Sequence, residues 1–269
     1  MSPLTLGNSA HEAPAGFAEL LELLGSRPQP AVVHYSAGPA GGGTPHGSRP
    51  AAAAPASTPE AGPAGGAETT PEERVELSGR VLANWANKLI GLFTDEHDLS
   101  EDDTVLVDMQ LHWKAAAVVL AAGALGAQVQ LAAPGDADAH GDAQLVVTDR
   151  PLELIGTPML GKAELAAVSH GLLDDSFAEA TGQQIPAWVT DVSAEVRQYP
   201  DQLLAPLPAV ALPPGASTSD GGPLVLSAWT PQSCQQMLGT WGAGGVVVLF
   251  SGEPGGAGWE TMLRNEGIA

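Results

Sequence analysis

Two short segments carry side chains suited to binding a ligand, and each follows an apolar run that predicts a β-strand. One run spans residues 104–109 and the other begins at residue 224. In open parallel sheets, ligands bind beyond the carboxyl ends of the strands. The candidate cleft residues at these two places are Gln110, His112, Trp113, Trp229 and Thr230. The competing interpretation, which we prefer, is that both tryptophans simply cover the ends of the sheet.

An acidic loop at residues 136–142 resembles the start of a calcium-binding loop. Asp136 and Asp138 stand at the first and third positions, and a glycine stands at the sixth. However, the fifth position is His140 and the twelfth is Val147, where a bidentate glutamate is required. We therefore interpret the loop as a solvated acidic turn and expect no metal site.

Two further groups of reactive side chains are also interpreted as non-catalytic. Asp174 and Asp175 are adjacent carboxylates in a predicted loop, and no neighbour in the sequence would shift their pKa values for acid–base work. Cys234 is the only cysteine, which excludes intrachain disulfides and thiolate metal clusters. No base or cation adjoins it in the sequence, so we expect a buried structural thiol.

The charge balance narrows the range of partners. The chain carries 31 acidic and 10 basic residues, for a formal net charge of −21. Nucleic acids and anionic membrane surfaces both require clustered basic residues, and the three lysines here are scattered. The longest apolar stretch, 115–127, is shorter than the roughly 18 residues of a membrane span. With no visible signal peptide, we expect a cytoplasmic protein whose partner is a protein or a small ligand, and no cofactor.

The N-terminal part combines a helix, a strand and a segment of low complexity. The spacing of apolar residues predicts a helix at 16–24 and a strand at 31–35. The helix buries one face, made of Phe17, Leu20, Leu21 and Leu24. Residues 36–70 are almost wholly glycine, alanine, proline, serine and threonine. Such a segment cannot bury enough apolar surface to offset its ordering entropy, which predicts a disordered insertion.

Regular structure is predicted to resume after this insertion. Either a helix begins near residue 70, or a strand at 74–77 precedes a helix capped by Ser78. Both alternatives place Val81, Trp85, Leu89 and Leu92 on one helical face. Further strands are predicted at 104–109, 128–132 and 145–148, and further helices at 113–125 and 187–198. The last helix would carry Trp188, Val192 and Val196 on one face.

A repeat links the two candidate ligand segments. Leu106, Gly126 and Leu131 mark a strand, helix, glycine, strand unit, and each has a counterpart 118 residues later. The counterparts are Leu224, Gly244 and Leu249. Two βαβ units of equal length fit a duplicated, mostly parallel architecture. Any two βαβ units share such features, so the repeat alone leaves duplication and coincidence equally open.

Several stretches resemble the N-terminal part of adenylate-forming enzymes, which include acyl-CoA synthetases, adenylation domains and luciferases. They are RVELSGRVLANWANKL at 74–89, LSEDDTVLV at 99–107, residues 113–132 and AQLVVTD at 143–149. The resemblance implies a β-hairpin of 31–35 with 74–77, two pseudo-symmetric halves, and 224–250 as the later half. In that family an aromatic turn borders the acyl pocket, and Trp229 matches it loosely. More specifically, the chain resembles a short group of such proteins in actinobacteria.

The motifs that perform adenylation have no match in this sequence. The family grips ATP phosphates with a loop of the form SGTTGxPKG. The nearest segment, STSDGG at 217–222, has no lysine and contains an aspartate, so we interpret it as a linker. The magnesium-binding glutamate, the ribose-binding aspartate and the lysine-bearing C-terminal domain also have no counterpart. The resemblance therefore transfers no catalytic, cofactor-binding or metal-binding residue.

These observations predict an α/β fold of two fused, pseudo-symmetric βαβ units with mostly parallel sheets, a truncated version of the acyl-CoA synthetase N-terminal domain. The expected segments are 1–35 for the first helix and strand, 36–70 for the insertion, 71–160 for the first unit, 161–222 for a connection and 223–269 for the second unit. The expected function is a non-catalytic binding or partner module. The alternative is an accessory subunit that completes an adenylation site in trans.

Overall fold

A computed structural model describes residues 13–36, 73–136, 141–214 and 222–268, which form a mixed α/β fold. The strands are β1 (Pro30–Ser36), β2 (Glu73–Ser78), β3 (Thr104–Asp108), β4 (Gln128–Ala132), β5 (Leu145–Thr148), β6 (Glu164–Ala167), β7 (Thr190–Asp191), β8 (Leu224–Leu226) and β9 (Val247–Phe250). The helices are α1 (Phe17–Gly25), α2 (Gly79–His97), α3 (Trp113–Ala124), α4 (Pro151–Leu154), α5 (Phe177–Thr181), α6 (Val192–Glu195), α7 (Ser233–Gly242) and α8 (Ala257–Asn265), and a 3-10 turn spans Val196–Gln198.

The strands form two sheets, each built around one βαβ unit. The first sheet has the order β4-β3-β5-β6-β7 and the second has the order β2-β1-β9-β8. Every pairing is parallel except that of β1 with β2. The units β3-α3-β4 and β8-α7-β9 therefore lie in separate sheets, and the expected fold class is confirmed. Gly126 and Gly244, which correspond in the repeat, both have left-handed φ angles, of 93° and 77°. Only glycine adopts these angles at no steric cost.

The β1–β2 hairpin decides between the two alternatives left open after the insertion. Tyr35 pairs with Arg74 and Ser36 with Glu73 in antiparallel register, as the resemblance implied. Ser78 then caps α2, since its hydroxyl accepts a hydrogen bond of 3.3 Å from the amide of Val81. Apart from Ser36, the expected insertion at 36–70 lies outside the described residues.

Helix α3 occupies the centre of the molecule. All twelve of its residues are buried, and it contacts β1 of the second sheet as well as β3 and β4 of the first. Apart from Lys114, this helix is apolar on every side, and such a helix must be enclosed by protein. Its small side chains allow close packing. A Cβ added at Gly123 would lie 2.4 Å from the ring of Phe17 in α1. Among the described residues, no helix combines the length and hydrophobicity needed to cross a membrane.

The predicted buried face of α2 is partly wrong. Leu89 and Leu92 are buried as expected, but Val81 is 39% exposed and Trp85 is only half-buried. The buried residues of the helix include Leu82, Ala83, Ala86, Leu89, Ile90, Leu92 and Phe93. Because α2 packs against both α1 and α3, its buried surface is wider and is rotated toward Ala83 and Ala86.

The segment 161–222 contains more structure than a simple connection. Its strands β6 and β7 extend the first sheet, although the sequence did not predict them. The predicted helix at 187–198 is also wrong in its first part, since β7 precedes the short α6 and the 3-10 turn. Trp188 is 57% exposed, while Val192 and Val196 are buried. Asp191 explains the boundary, because its carboxylate accepts hydrogen bonds from the amides of Ser193 and Ala194 and so caps α6.

Candidate functional site

The two sheets come together where their strands end. From the first sheet, β3 leads into residues 109–112, β5 into Asp149, and β6 into residues 169–171. From the second sheet, β9 leads into Ser251, which lies beside His34 of β1. The polar side chains gathered here, which we call the strand-end site, are His34, His112, Lys114, Asp149, His170 and Ser251.

Three histidine rings form a row from the interior to the surface. The centroids of His34 and His112 lie 4.7 Å apart, with the rings edge-on. Those of His112 and His170 lie 4.9 Å apart, with the rings stacked. His34 and His112 are each 3% exposed, whereas the side chain of His170 is 49% exposed. His170 is therefore the member of the row that a ligand can reach.

His112 is held neutral by the bonds at both ring nitrogens. Its Nδ1 accepts a 3.1 Å hydrogen bond from the amide of Lys114 and thereby caps α3. Its Nε2 lies 3.0 Å from the carbonyl oxygen of His170. Nδ1 is thus the acceptor and Nε2 the donor, which defines one neutral tautomer. Burial lowers the pKa of His112 well below its ordinary value, and the neighbouring His34 and His170 lower it further.

His34 connects the row to the second sheet. Its Nε2 lies 3.0 Å from the hydroxyl oxygen of Ser251, and that hydroxyl donates a 2.6 Å hydrogen bond to the carbonyl oxygen of Leu111. Since the hydroxyl proton is directed at Leu111, His34 is the donor to Ser251. Burial lowers the pKa of His34 to about 4, so this ring is also neutral at physiological pH.

Lys114 places a buried cation beneath the row. Its ammonium nitrogen donates to the carbonyl oxygens of Ser169, at 2.7 Å, and Gly171, at 3.0 Å. It also lies 5.7 Å from the ring centroid of Trp85 and 5.5 Å from that of Trp113, within cation–π range. Burial lowers the pKa of Lys114 to about 8. The lysine thereby fastens the loop that follows β6 to α3.

Asp149 and His170 form the exposed end of the site. Asp149 Oδ2 lies 2.9 Å from His170 Nε2 and also accepts a 3.4 Å hydrogen bond from the amide of Gln110. The carboxylate is 7% exposed. Nearby, Arg150 donates to the buried Asp108 at 3.1 Å and to Glu153 at 2.7 Å. The two cations of this edge, Lys114 and Arg150, are therefore engaged by groups of the chain itself.

Only some of the five residues predicted to line the cleft lie at the strand-end site. His112 lies in the histidine row, and Gln110 contributes through its backbone amide while its side chain is exposed. Trp113 is fully buried under the row. Trp229 is half-buried and donates a 2.9 Å hydrogen bond from Nε1 to the carbonyl oxygen of Met109. Thr230 is exposed, and its amide bonds to Ser233 at the start of α7.

Sequence reasoning missed five of the six members of the site, namely His34, Lys114, Asp149, His170 and Ser251. Asp149 and Ser251 directly follow strands, and His170 stands three residues after one. The rule about strand ends covers Asp149 and Ser251, because both follow strands that the sequence predicts, but it does not reach His170, because β6 was not predicted. No sequence signal marks His34, which lies within β1.

The described part of the chain offers little to a metal ion or a phosphate group. There, no group of three or more histidine, cysteine, aspartate or glutamate residues could hold a metal ion. The predicted linker at 217–222 is described only at Gly222, and residues 137–140 of the acidic loop lie outside the described residues. The ammonium of Lys114 does not fit an ATP phosphate, since it is buried against two carbonyl groups. Cys234 is half-buried rather than buried as expected, and desolvation raises the pKa of its thiol to about 12.

Comparison with known proteins gives one relative by sequence. No protein-family profile matches the chain. A Mycobacterium tuberculosis protein, whose description states no activity, is 35% identical to this chain over 133 residues. The match covers 49% of this chain and 51% of the relative. The match thus spans about half of the relative's length.

Comparison with solved structures confirms the fold that the resemblance implied. The chain matches an acyl-CoA synthetase of Brucella canis with a TM-score of 0.65 and 14% identity, over 98% of this chain and 48% of that one. It matches the N-terminal subdomain of Klebsiella oxytoca NpsA, in complex with 3-hydroxybenzoyl-AMSN, with a TM-score of 0.58 and 10% identity, over 98% of this chain and 61% of that one. The chain therefore has the fold of the N-terminal part of these enzymes.

Proposed function

We propose that this chain is a non-catalytic binding module, which uses the fold of an adenylate-forming N-terminal subdomain to hold a small carboxylic acid or acyl compound. Its ligand would lie at the strand-end site, against His170. The protein would then bind such a compound without activating it.

The observation that supports this proposal is the way in which the interior groups of the site are bonded. The Lys114 ammonium binds two backbone carbonyl groups, and both ring nitrogens of His112 have partners within the chain. Adenylation requires groups aimed at the charge that develops on the leaving pyrophosphate. A cation and an imidazole already bonded to the backbone serve to hold loops in place.

The exposed end of the site suits a polar ligand. His170 is half-exposed, and its Nε2 is bonded to a buried carboxylate at Asp149. This hydrogen bond orients the imidazole ring, and the exposed ring offers a hydrogen-bonding edge to a polar head group. The NpsA subdomain to which the chain is similar was solved with a 3-hydroxybenzoyl compound, and we take the acyl class of ligand from that likeness.

Two measurements test the proposal. Titration of the protein with acetate, hexanoate and benzoate should shift the imidazole NMR signals of His170 in a saturable way, and His170→Ala should abolish the saturation. Lys162→Ala changes an exposed side chain elsewhere and is the matched control. Calorimetry with ATP and Mg²⁺ should show no tight binding, and pyrophosphate exchange should be absent with every acid. Acid-dependent exchange would contradict the non-catalytic function.

A second candidate is an accessory role in which the chain completes an adenylation site in trans. Its support is the length of the structural match, which reaches only 48% of the Brucella synthetase. A complete adenylation site would therefore need residues that correspond to the unmatched part of the synthetase. Pyrophosphate exchange would distinguish the two candidates. If it is absent with this chain alone but begins when a polypeptide carrying the phosphate loop is added, the result favours the accessory role.

A further inference from the structure

Three consecutive backbone carbonyl groups around His170 are bonded to the start of α3. Lys114 Nζ donates to the carbonyl oxygen of Ser169 at 2.7 Å and to that of Gly171 at 3.0 Å. His112 Nε2 donates to the carbonyl oxygen of His170 itself, at 3.0 Å. The half-exposed imidazole of His170 therefore projects from a short loop, residues 169–171, whose three carbonyl groups are held by two side chains of one helix.

The contact between His170 and Asp149 lies just beyond the end of the first sheet. The backbone ladder between β5 and β6 extends to Val168, whose amide donates a 2.8 Å hydrogen bond to the carbonyl oxygen of Thr148. Asp149 follows Thr148 directly, and the loop 169–171 follows Val168. Asp149 Oδ2 lies 2.9 Å from His170 Nε2, so a displacement of the loop by about 1 Å would break this hydrogen bond. The groups that hold the loop therefore determine where the imidazole points.

Lys114 makes the stronger bonds to this loop. Hydrogen bonds from a charged donor are stronger than those between neutral groups, and Lys114 makes two of them, whereas the neutral ring of His112 makes one. Lys114 is only 3% exposed, so water competes little for the ammonium and a ligand does not reach it. An effect of Lys114 on a ligand must therefore pass through the loop.

Two further bonds of the loop run to other elements and limit the expected effect. The hydroxyl oxygens of Ser169 and Ser193 lie 2.6 Å apart, and the amide of Gly171 donates a 2.7 Å hydrogen bond to the carboxylate of Asp174. Neither bond involves the lysine, so both can persist when it is replaced. Loss of the lysine should therefore displace the imidazole without unfolding the loop.

We propose that Lys114 is the positioning residue of the strand-end site. By holding the carbonyl groups on both sides of His170, its ammonium keeps the imidazole bonded to Asp149 and thereby sets the affinity of the site for its ligand. The effect on affinity rests on the proposed function, whereas the effect on the imidazole does not.

The protonation of Lys114 gives the proposal a pH dependence. Burial lowers the pKa of Lys114 to about 8; the carboxylates of Asp174 and Asp191 oppose this shift, and the guanidinium of Arg197 adds to it. His112, at the start of the same helix, is neutral. Because a neutral amine donates weaker hydrogen bonds than an ammonium, the hold on the loop should weaken as the pH rises through about 8. Ligand affinity should fall in the same window.

The position of the imidazole can be measured without a ligand, by NMR of ¹⁵N-labelled histidine. The Nε2 signal of His170 is identified by its loss in His170→Ala, and Asp149→Asn shows where this signal lies when the carboxylate is absent. In Lys114→Met the signal should move toward that reference position. In Lys162→Met, at an exposed lysine, it should stay at the native position. An unmoved signal in the folded Lys114→Met variant would overturn the proposal.

Titration with benzoate measures the effect on affinity. Near neutral pH, Lys114→Met should weaken benzoate binding by about fivefold, and the native fall in affinity at pH values above about 8 should be absent from this variant. Lys114→Arg keeps a charged donor at these pH values, so it should bind benzoate as the native chain does near neutral pH and show no such fall. Circular dichroism shows whether each variant is folded. If Lys114→Arg is unfolded, the native pH profile and Lys114→Met still decide the question.

The positioning role and the proposed ligand fail in different ways. If the native chain does not bind benzoate but the His170 signal moves in Lys114→Met, the ligand is wrong and the positioning role is supported. If benzoate binds equally to the native chain and to Lys114→Met at every pH, Lys114 only supports the fold and the positioning role is overturned.

Discussion

The indole nitrogen of Trp229 donates a 2.9 Å hydrogen bond to the carbonyl oxygen of Met109, 120 residues away in the chain. Trp229 follows β8 in the second βαβ unit, and Met109 follows β3 in the first. The bond therefore joins matching ends of the two units. A second link runs from Ser251, after β9, to Leu111. These two contacts explain how strands of separate sheets present one common edge.

Loss of the first link should destabilise the protein slightly. Trp229→Phe keeps an aromatic ring in the half-buried position but leaves the Met109 carbonyl without this donor. We expect the free energy of unfolding to fall by about 1 kcal/mol in urea denaturation. Trp188→Phe, at an exposed tryptophan, should change it by less than about 0.5 kcal/mol. Equal effects of the two substitutions would mean that the Trp229–Met109 bond contributes nothing.

Stability should depend on pH through Lys114. Burial lowers its pKa from 10.5 to about 8 in the folded chain. Between these two pH values the unfolded chain holds one proton more at this lysine, so stability should rise with pH across that window. Relative to Lys114→Met, the native chain should gain at most about 3 kcal/mol from pH 8 to 10.5.

Urea unfolding at several pH values measures this difference, with Lys162→Met at an exposed lysine as the control. The control should follow the native pH profile closely. If Lys114→Met also follows it, the lysine does not titrate in this range when folded.

Trp113 should matter more to stability than Trp85. Trp113 is fully buried, so Trp113→Ala should cost about 3–5 kcal/mol. Trp85 is half-buried, and Trp85→Ala should cost less. Their ring centroids lie 4.9 Å apart in an edge-on arrangement, so a double-mutant cycle should give a coupling of about 0.5–1.5 kcal/mol. A larger loss for Trp85→Ala than for Trp113→Ala would contradict the packing described for α2 and α3.

The connection between β1 and β2 should be replaceable. Ser36 and Glu73 are paired across the hairpin, so an Asn-Gly turn in place of residues 37–72 can join the strands directly. A shorter loop costs less entropy to close. We therefore expect the thermal unfolding midpoint to be unchanged or higher, as measured by circular dichroism. A midpoint several degrees lower would mean that residues 37–72 contribute packing to the fold.

The sequence predicted correctly those strands and helices whose own apolar pattern is enough to define them. The strand at 128–132, the strand at 145–148 and the face of α1 were all correct. Errors arose where distant contacts decide the outcome. The buried face of α2 depends on two other helices, and β7 is only two residues long. His34 was missed because it reaches the strand-end site through the pairing of β1 with β9, which no nearby residue indicates.

That pairing has a consequence for synthesis on the ribosome. β1 emerges well before its parallel partner β9, which is the last strand of the described part of the chain. The first sheet, β3 to β7, can form well before then. Until β9 arrives, the hairpin of β1 and β2 presents an open edge of apolar residues, and such edges promote aggregation. Nascent chains that stall before residue 247 should therefore be the species that most needs a chaperone.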